Sequence, residues 1–174
     1  MIDQTVEGIK MFSLEGKIAI VTGASRGIGE AIAKGFAKTG ADLILVSRNL
    51  SALEKAYKGI ESLGRKILPI AADIGNSEDI QRAVDTALKI FPRIDILVNN
   101  AGISPILKKA EETTLEEWEE IVRINLTGTF LFCQGVGKVM IQQGGGKIID
   151  MVSVGAVVGF QRQIAYCATK GGIL

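Results

Sequence analysis

Tyr166 and Lys170 lie four residues apart and would share one face of a helix. A phenol with an ordinary pKa of about 10 is a poor base at neutral pH. An ammonium about 4 Å away, at an effective dielectric of about 20, favours the phenolate by roughly 4 kcal/mol. That corresponds to about 3 pKa units, and desolvation of the phenol takes part of it back. So tuned, Tyr166 would give a proton to a carbonyl oxygen or remove one from an alcohol. Ser153 could hydrogen-bond the same oxygen. The chain has no histidine, so Ser153 lacks the usual partner of a nucleophilic serine and is assigned positioning. Asn125 falls inside a helical stretch, where asparagine competes with the backbone for hydrogen bonds; it is expected to kink the helix or hold a water against a carbonyl.

A second set of residues could hold a phosphate. Thr22-Gly23-Ala24-Ser25-Arg26-Gly27-Ile28-Gly29 joins a β-branched apolar run, 17–21, to helical spacing at Ile28, Ile32, Gly35 and Phe36, with a stop at Gly40. A strand, a glycine turn and a helix start gather backbone N–H groups and the positive end of a helix dipole at one point. The spacing is Gly-x-x-x-Gly-x-Gly, unlike the commonest dinucleotide fingerprint, but the roles are similar. One glycine makes the turn, one admits the pyrophosphate and one lets helix pack on strand. Taken alone, three such glycines also describe a flexible loop.

After the next apolar run, Ser47-Arg48-Asn49 stands where an acidic residue would take the ribose hydroxyls of NAD. An arginine attracts a 2′-phosphate instead, so Arg48 with Arg26 favours NADP(H), with NAD(H) as the alternative. Each could equally be a solvated surface arginine. Asp73 could bond an adenine amino group or help to cap the following helix. Ser25 and Ile28 in the loop, and Ile74 beside Asp73, join the expected cofactor contacts.

Positioning these groups takes alternating strands and helices. Strands are expected at 17–21, 41–47, 67–71, 94–98 and 147–152. The first helix ends near Gly40; the second opens at Asn49 and closes at Gly64; the third runs from Asn76 and Asp79 to Pro92. A capping box at Thr114 and Glu117 opens a fourth, carried past Asn125 to about Gln142, and a fifth begins near Arg162. Trp118 and the Phe130-Leu131-Phe132 run read as core or interface. Short connections between alternating elements imply right-handed βαβ units, hence an α/β, Rossmann-like, doubly wound parallel sheet in three layers. Such sheets bind ligands at the carboxyl ends of their strands, which brings Gly23, Ser47, Asp73, Asn99 and Ser153 to one rim.

Together these motifs resemble the short-chain dehydrogenase/reductase family from about residue 12 to the end. The resemblance implies that Thr22 to Gly29 hold a pyrophosphate and that Asn99 to Gly102 lie beside the cofactor. It makes Asn125, Ser153, Tyr166 and Lys170 a catalytic set, with Tyr166 as acid/base, Lys170 also on the nicotinamide ribose, Ser153 on the substrate oxygen and Asn125 in a proton relay. The substrate class it implies is a ketone or secondary alcohol, as in 3-oxoacyl carrier-protein reductases and sugar or polyol dehydrogenases. A complete fold of this kind has six strands, so the five expected here make 12–174 a C-terminally truncated dinucleotide-binding domain, lacking the last strands and leaving the fifth strand a bare edge. A dimer or tetramer is expected of the complete protein. Two alternatives stand beside hydride transfer: a cofactor-binding fragment without catalysis, and an isomerase on the same fold.

Bulk properties narrow the field. With 174 residues and 47% hydrophobic content the chain suits one domain with a sizeable core. Its 20 basic and 19 acidic residues, with no basic block, do not suggest nucleic acid, and no apolar run approaches the ~18 residues of a membrane span. Residues 1–11 read as a loose extension without the apolar core of a signal peptide, so a cytoplasmic protein is expected. Two cysteines, Cys133 and Cys167, are too few for a disulfide framework, and no metal site is expected.

Overall fold

The computed structural model describes residues 12–58 and 60–174; the extension expected over 1–11 lies outside them. Five parallel strands form one sheet in the order β3-β2-β1-β4-β5: β1 Ile18–Thr22, β2 Asp42–Ser47, β3 Ile67–Ala71, β4 Ile96–Asn99 and β5 Lys147–Asp150. Between and after them run α1 Gly27–Lys38, α2 Leu50–Lys58, α3 Ser77–Ile90, α4 Leu115–Ile121, α5 Gly128–Gln142 and α6 Ile164–Ile173.

The central strands are apolar through their interiors, with polar residues only at their ends, because both faces are covered. Ile18 and Ile20 of β1 join Ile44, Val46 and Leu97 under α3 and α5, against Val84 and Phe132. Ala19 and Val21 point the other way, joining Leu43, Leu45 and Val98 under α1 and α2, against Ala33, Ala37 and Leu53. One residue of register slip would exchange these two sets, so the alternation sets the pairing Ala19 to Leu43 and Val21 to Leu45.

Helix starts follow their capping residues. Asn76 Oδ1 accepts the backbone N–H groups of Glu78 and Asp79 at 2.9 and 3.0 Å, and Thr114 and Glu117 form the expected capping box. Several boundaries differ from expectation for local reasons. β4 begins at Ile96, because Ile94 gives its N–H and C=O to the Gln143 side chain and Asp95 accepts the Ile18 N–H. α2 ends at Lys58, and a 3-10 turn over Glu61–Leu63 precedes Gly64 at φ +68°. α6 begins at Ile164, since Arg162 sits at φ +61°, outside helical geometry.

The stretch expected as one helix past Asn125 is interrupted by a π-helical turn, Val122–Thr127, with Asn125 inside it. Of the aromatic run, Phe132 is core, whereas Phe130 is 57% exposed. β5 is the outermost strand, with Ile148 and Ile149 partly exposed. No helix among the described residues is long and apolar enough to cross a membrane.

Candidate active site

A cleft of about 610 Å³ opens at the carboxyl ends of β1 to β4. The β1–α1 turn supplies Gly23, Ser25, Arg26, Gly27 and Ile28; the end of β2 supplies Ser47, Arg48 and Asn49; Ala72, Asp73 and Ile74 follow β3; and Asn100 to Ile103 follow β4. The three glycines differ in backbone geometry and surroundings. Gly23 and Gly27 adopt φ +66° and +60°, where a side chain is strained. At Gly27 a Cβ would meet nothing within 4 Å, so that backbone faces open space. At Gly29 a Cβ would press on the Gly23 carbonyl and lie 2.5 Å from Asn100 Nδ2, so helix and strand touch only because it is glycine. Ile28 faces solvent at 63% exposure, so its helical spacing does not bring it to the core.

Arg26 and Arg48 are exposed on the cleft wall, and neither has an ion-pair partner among the described residues. Asn49 caps α2 through Oδ1, accepting the Ala52 N–H at 3.0 Å, and its own N–H goes to Ser47 Oγ at 3.2 Å. Asp73 uses Oδ1 to accept the Gly75 N–H at 2.9 Å, a local turn leading into the Asn76 cap. The cap of α3 is Asn76, and Asp73 forms the turn before it while lining the cleft wall.

The cleft floor is tied together by Thr22 and Asn100. Thr22 Oγ1 accepts the N–H groups of Asn100 and Ala101 at 3.0 and 3.1 Å and donates to the Val98 carbonyl at 3.3 Å. Asn100 Nδ2 donates to the Thr22 carbonyl at 3.0 Å. Asn99, expected beside the cofactor, does not line the cleft: it is 5% exposed, and its Nδ2 donates to Asp150 Oδ1 at 2.8 Å. The last residue of a strand and the next one point to different sides, and here the second asparagine of the pair faces the glycine turn.

The expected catalytic residues stand on the π turn, at the turn after β5 and on α6. Asn125, 1% exposed, accepts the Ile103 N–H and donates to the Ile103 carbonyl, both at 2.8 Å, and its Nδ2 also donates to Thr169 Oγ1 on α6 at 3.4 Å. Its backbone carbonyl accepts the Thr129 hydroxyl at 2.7 Å. Lys170 is buried on α6 and its Nζ donates to the Met151 carbonyl at 2.5 Å. Burial pushes this ammonium below its ordinary value of 10.5, opposed by the charge of Asp150. Nζ lies 5.9 Å from the centroid of the Tyr166 ring, so the two side chains share a helix face as the spacing requires. Ser153 Oγ accepts the Gly155 N–H at 3.1 Å, which holds it at the head of the turn Val154–Ala156. That bond uses an oxygen lone pair and leaves the hydroxyl proton available to an acceptor.

Gly102 joins the two groups. It lines the cleft, and a Cβ built on it would lie 3.2 Å from Asn125 Oδ1 and 4.0 Å from Lys170 Nζ. The wall includes Ser47, expected on the rim, and Asn100, expected beside the cofactor, and beyond the expected residues Asn49, Ala52, Ala72, Ile103 and Ile124. The Asn49 cap carried a signal for part of this last set. Ile103 and Ile124 carried none, because only tertiary packing brings the π turn beneath the loop after β4.

The sequence pattern of the family described as short chain dehydrogenase matches residues 17–174. This chain belongs to that family. Among short chain dehydrogenases and their relatives, D-threitol dehydrogenase of Mycolicibacterium smegmatis (strain ATCC 700084 / mc(2)155) is 42% identical over 163 residues, covering 94% of this chain and 62% of that protein. The 3-oxoacyl-[acyl-carrier-protein] reductase of Synechocystis sp. (strain ATCC 27184 / PCC 6803 / Kazusa) is 36% identical over 167 residues, covering 94% of this chain and 66% of that protein. The crystal structure of NAD+-bound xylitol dehydrogenase superposes with a TM-score of 0.88 at 32% identity, over 91% of this chain and 61% of that one. The chain thus spans between 61% and 66% of the length of these relatives.

Proposed function

We propose that this sequence belongs to an oxidoreductase that moves a hydride between NADP(H) and a ketone or secondary alcohol, with Tyr166 as the proton donor and acceptor. The observation carrying this reading is the meeting of Lys170 and Asn125 at Gly102, on the wall of the cleft the glycine turn opens. The cleft suits a dinucleotide: open backbone at Gly27, N–H groups at the start of α1, and two arginines without ion-pair partners among the described residues. A bound nicotinamide supplies or takes the hydride. Gly23 to Gly29, with Ser25 and Ile28 among them, would hold the cofactor's pyrophosphate, Asp73, Ile74 and Arg48 would face its nucleoside end, and Ala101 and Gly102 would lie beside it.

Ser153 donates its free hydroxyl proton to the substrate oxygen and holds it against the Tyr166 phenol. Tyr166 passes its proton to that oxygen in reduction and takes it back in oxidation. Lys170 keeps positive charge beside the phenol and near the ribose. Asn125 holds the 102–103 segment through Ile103 and ties it to α6 through Thr169, a positioning role supported by its three amide bonds.

Arg26 and Arg48 support NADP(H) over NAD(H); the NAD+-bound xylitol dehydrogenase keeps NAD(H) as the competing choice. The relatives' names support a polyol, sugar or 3-oxoacyl substrate. A cytoplasmic homo-oligomer completes the reading, supported by the absence of a membrane-length helix among the described residues and by the exposed Phe130 and Ile141 of α5.

The test is turnover of NADPH and NADH with polyols, their ketoses and a 3-oxoacyl thioester. Tyr166→Phe should lower kcat about 10²- to 10⁴-fold, the usual worth of a positioned acid/base, with NADPH affinity held within a few fold. An unchanged kcat in the variant refutes the assignment. NADPH binding without turnover by these 174 residues would instead favour the second reading, a cofactor-binding unit.

A further inference from the structure

Lys170 is 6% exposed, and its one hydrogen bond among the described residues is to the Met151 carbonyl. An ammonium has three donors, and burying it without a nearby negative charge is costly. The residue before Met151 is Asp150, the last of β5. Its Oδ1 accepts Asn99 Nδ2 at 2.8 Å and the Cys133 thiol at 3.7 Å, so its side chain stands on the face of the sheet that α5 covers. α6 packs on the π turn that leads into α5, which places Lys170 over the same face at the same end of β5.

We propose that Asp150 is a positioning residue: held by Asn99 and Cys133, it is the counter-charge that keeps the Lys170 ammonium protonated and seated on the Met151 carbonyl. The pair acts through space, since no contact within 4.0 Å joins them. The elements around Lys170 carry other charged or titratable groups: Tyr166 and Cys167 on α6, Arg123 on the π turn, Glu116, Glu117, Glu119 and Glu120 on α4, and Cys133 on α5. Arg123 is committed to the Gly75 carbonyl at 2.7 Å and Glu117 to Lys108. Asp150 is the one charge that opposes the effect of burial on Lys170. Cys133, pushed up to about 11 by burial and by Asp150, stays a thiol and can donate to the carboxylate. This arrangement also gives Asn99 a task in place of the cofactor contact expected of it.

The consequence for proton transfer rests on the oxidoreductase reading, but the test does not. In protein labelled with ¹³C lysine, the Lys170 Cε resonance, assigned through Lys170→Arg, is followed against pH without cofactor. Asp150→Asn should lower the Lys170 midpoint by about one pH unit, and Asp150→Glu should restore most of it. An unmoved midpoint in Asp150→Asn with native amide dispersion overturns the inference. Should that variant not fold, the unaltered protein decides: Lys170 Cε must show a second, smaller step as the Asp150 carboxyl titrates, and a flat trace there overturns it. Failure to bind or turn over NADPH would refute the oxidoreductase reading and leave this titration unaffected.

Discussion

Single residues set what the cleft can hold. Gly29 is the point where α1 touches β1, and its missing Cβ is what allows the Gly23 carbonyl and Asn100 amide to close in. Gly29→Ala should cost about 1–3 kcal/mol, the range for overpacking, and should weaken NADPH binding because the turn above it shifts. Chemical denaturation and a fluorescence titration measure the two effects. The role proposed for Arg48 rests on charge: Arg48→Asp should weaken NADPH at least tenfold more than NADH, since a carboxylate repels the 2′-phosphate that a guanidinium attracts. Equal losses for both cofactors would assign Arg48 to solvent. The Asn99-Asn100 pair shows where reading by residue type reached its limit, because composition cannot say which of two adjacent side chains faces the cleft.

At the scale of elements, helix starts were legible and helix interiors less so. Asn76 and Thr114 cap because their oxygens reach N–H groups two and three residues on, a purely local matter. Asn76→Ala should therefore destabilise the fold by about 1 kcal/mol without changing cofactor affinity at saturating stability, measurable as a lowered urea midpoint with an unchanged slope. The π turn at Val122–Thr127 was visible only as an awkward asparagine. What makes it useful is distant: the Asn125 amide clamps Ile103, and Gly128 lets the helix rest on the Ile74 carbonyl. Neither partner is near in sequence.

For the whole molecule, two buried groups couple stability to pH in opposite directions. Cys133 is pushed from 9.0 up to about 11 in the folded chain. Between those values the folded state holds more protons than the unfolded one, so stability falls as pH rises. Because the thiol is only half-buried, solvent screening reduces the loss to on the order of 1 kcal/mol. Lys170 runs the other way: its folded value lies below 10.5, so its contribution is present above 10.5 and is lost as pH falls through the folded value. Urea unfolding between pH 8 and 11 should show a decline across pH 9 to 11 that Cys133→Ala removes, exposing the opposing rise. A decline that persists in Cys133→Ala would assign it to other groups.

The alternation of strands and helices, the two-faced burial and the glycine turn between β1 and α1 follow from the chain read as a string, because periodicity, caps and glycine act over a few residues. The meeting of Lys170 with Asn125 at the Gly102 wall does not. It depends on where β5 ends relative to β4 and on how α6 settles over the π turn, and those contacts form between residues 19 to 79 positions apart. Local pattern names the groups that could react, whereas only packing decides which of them face one another and which, like Asn99, are turned to a neighbouring strand.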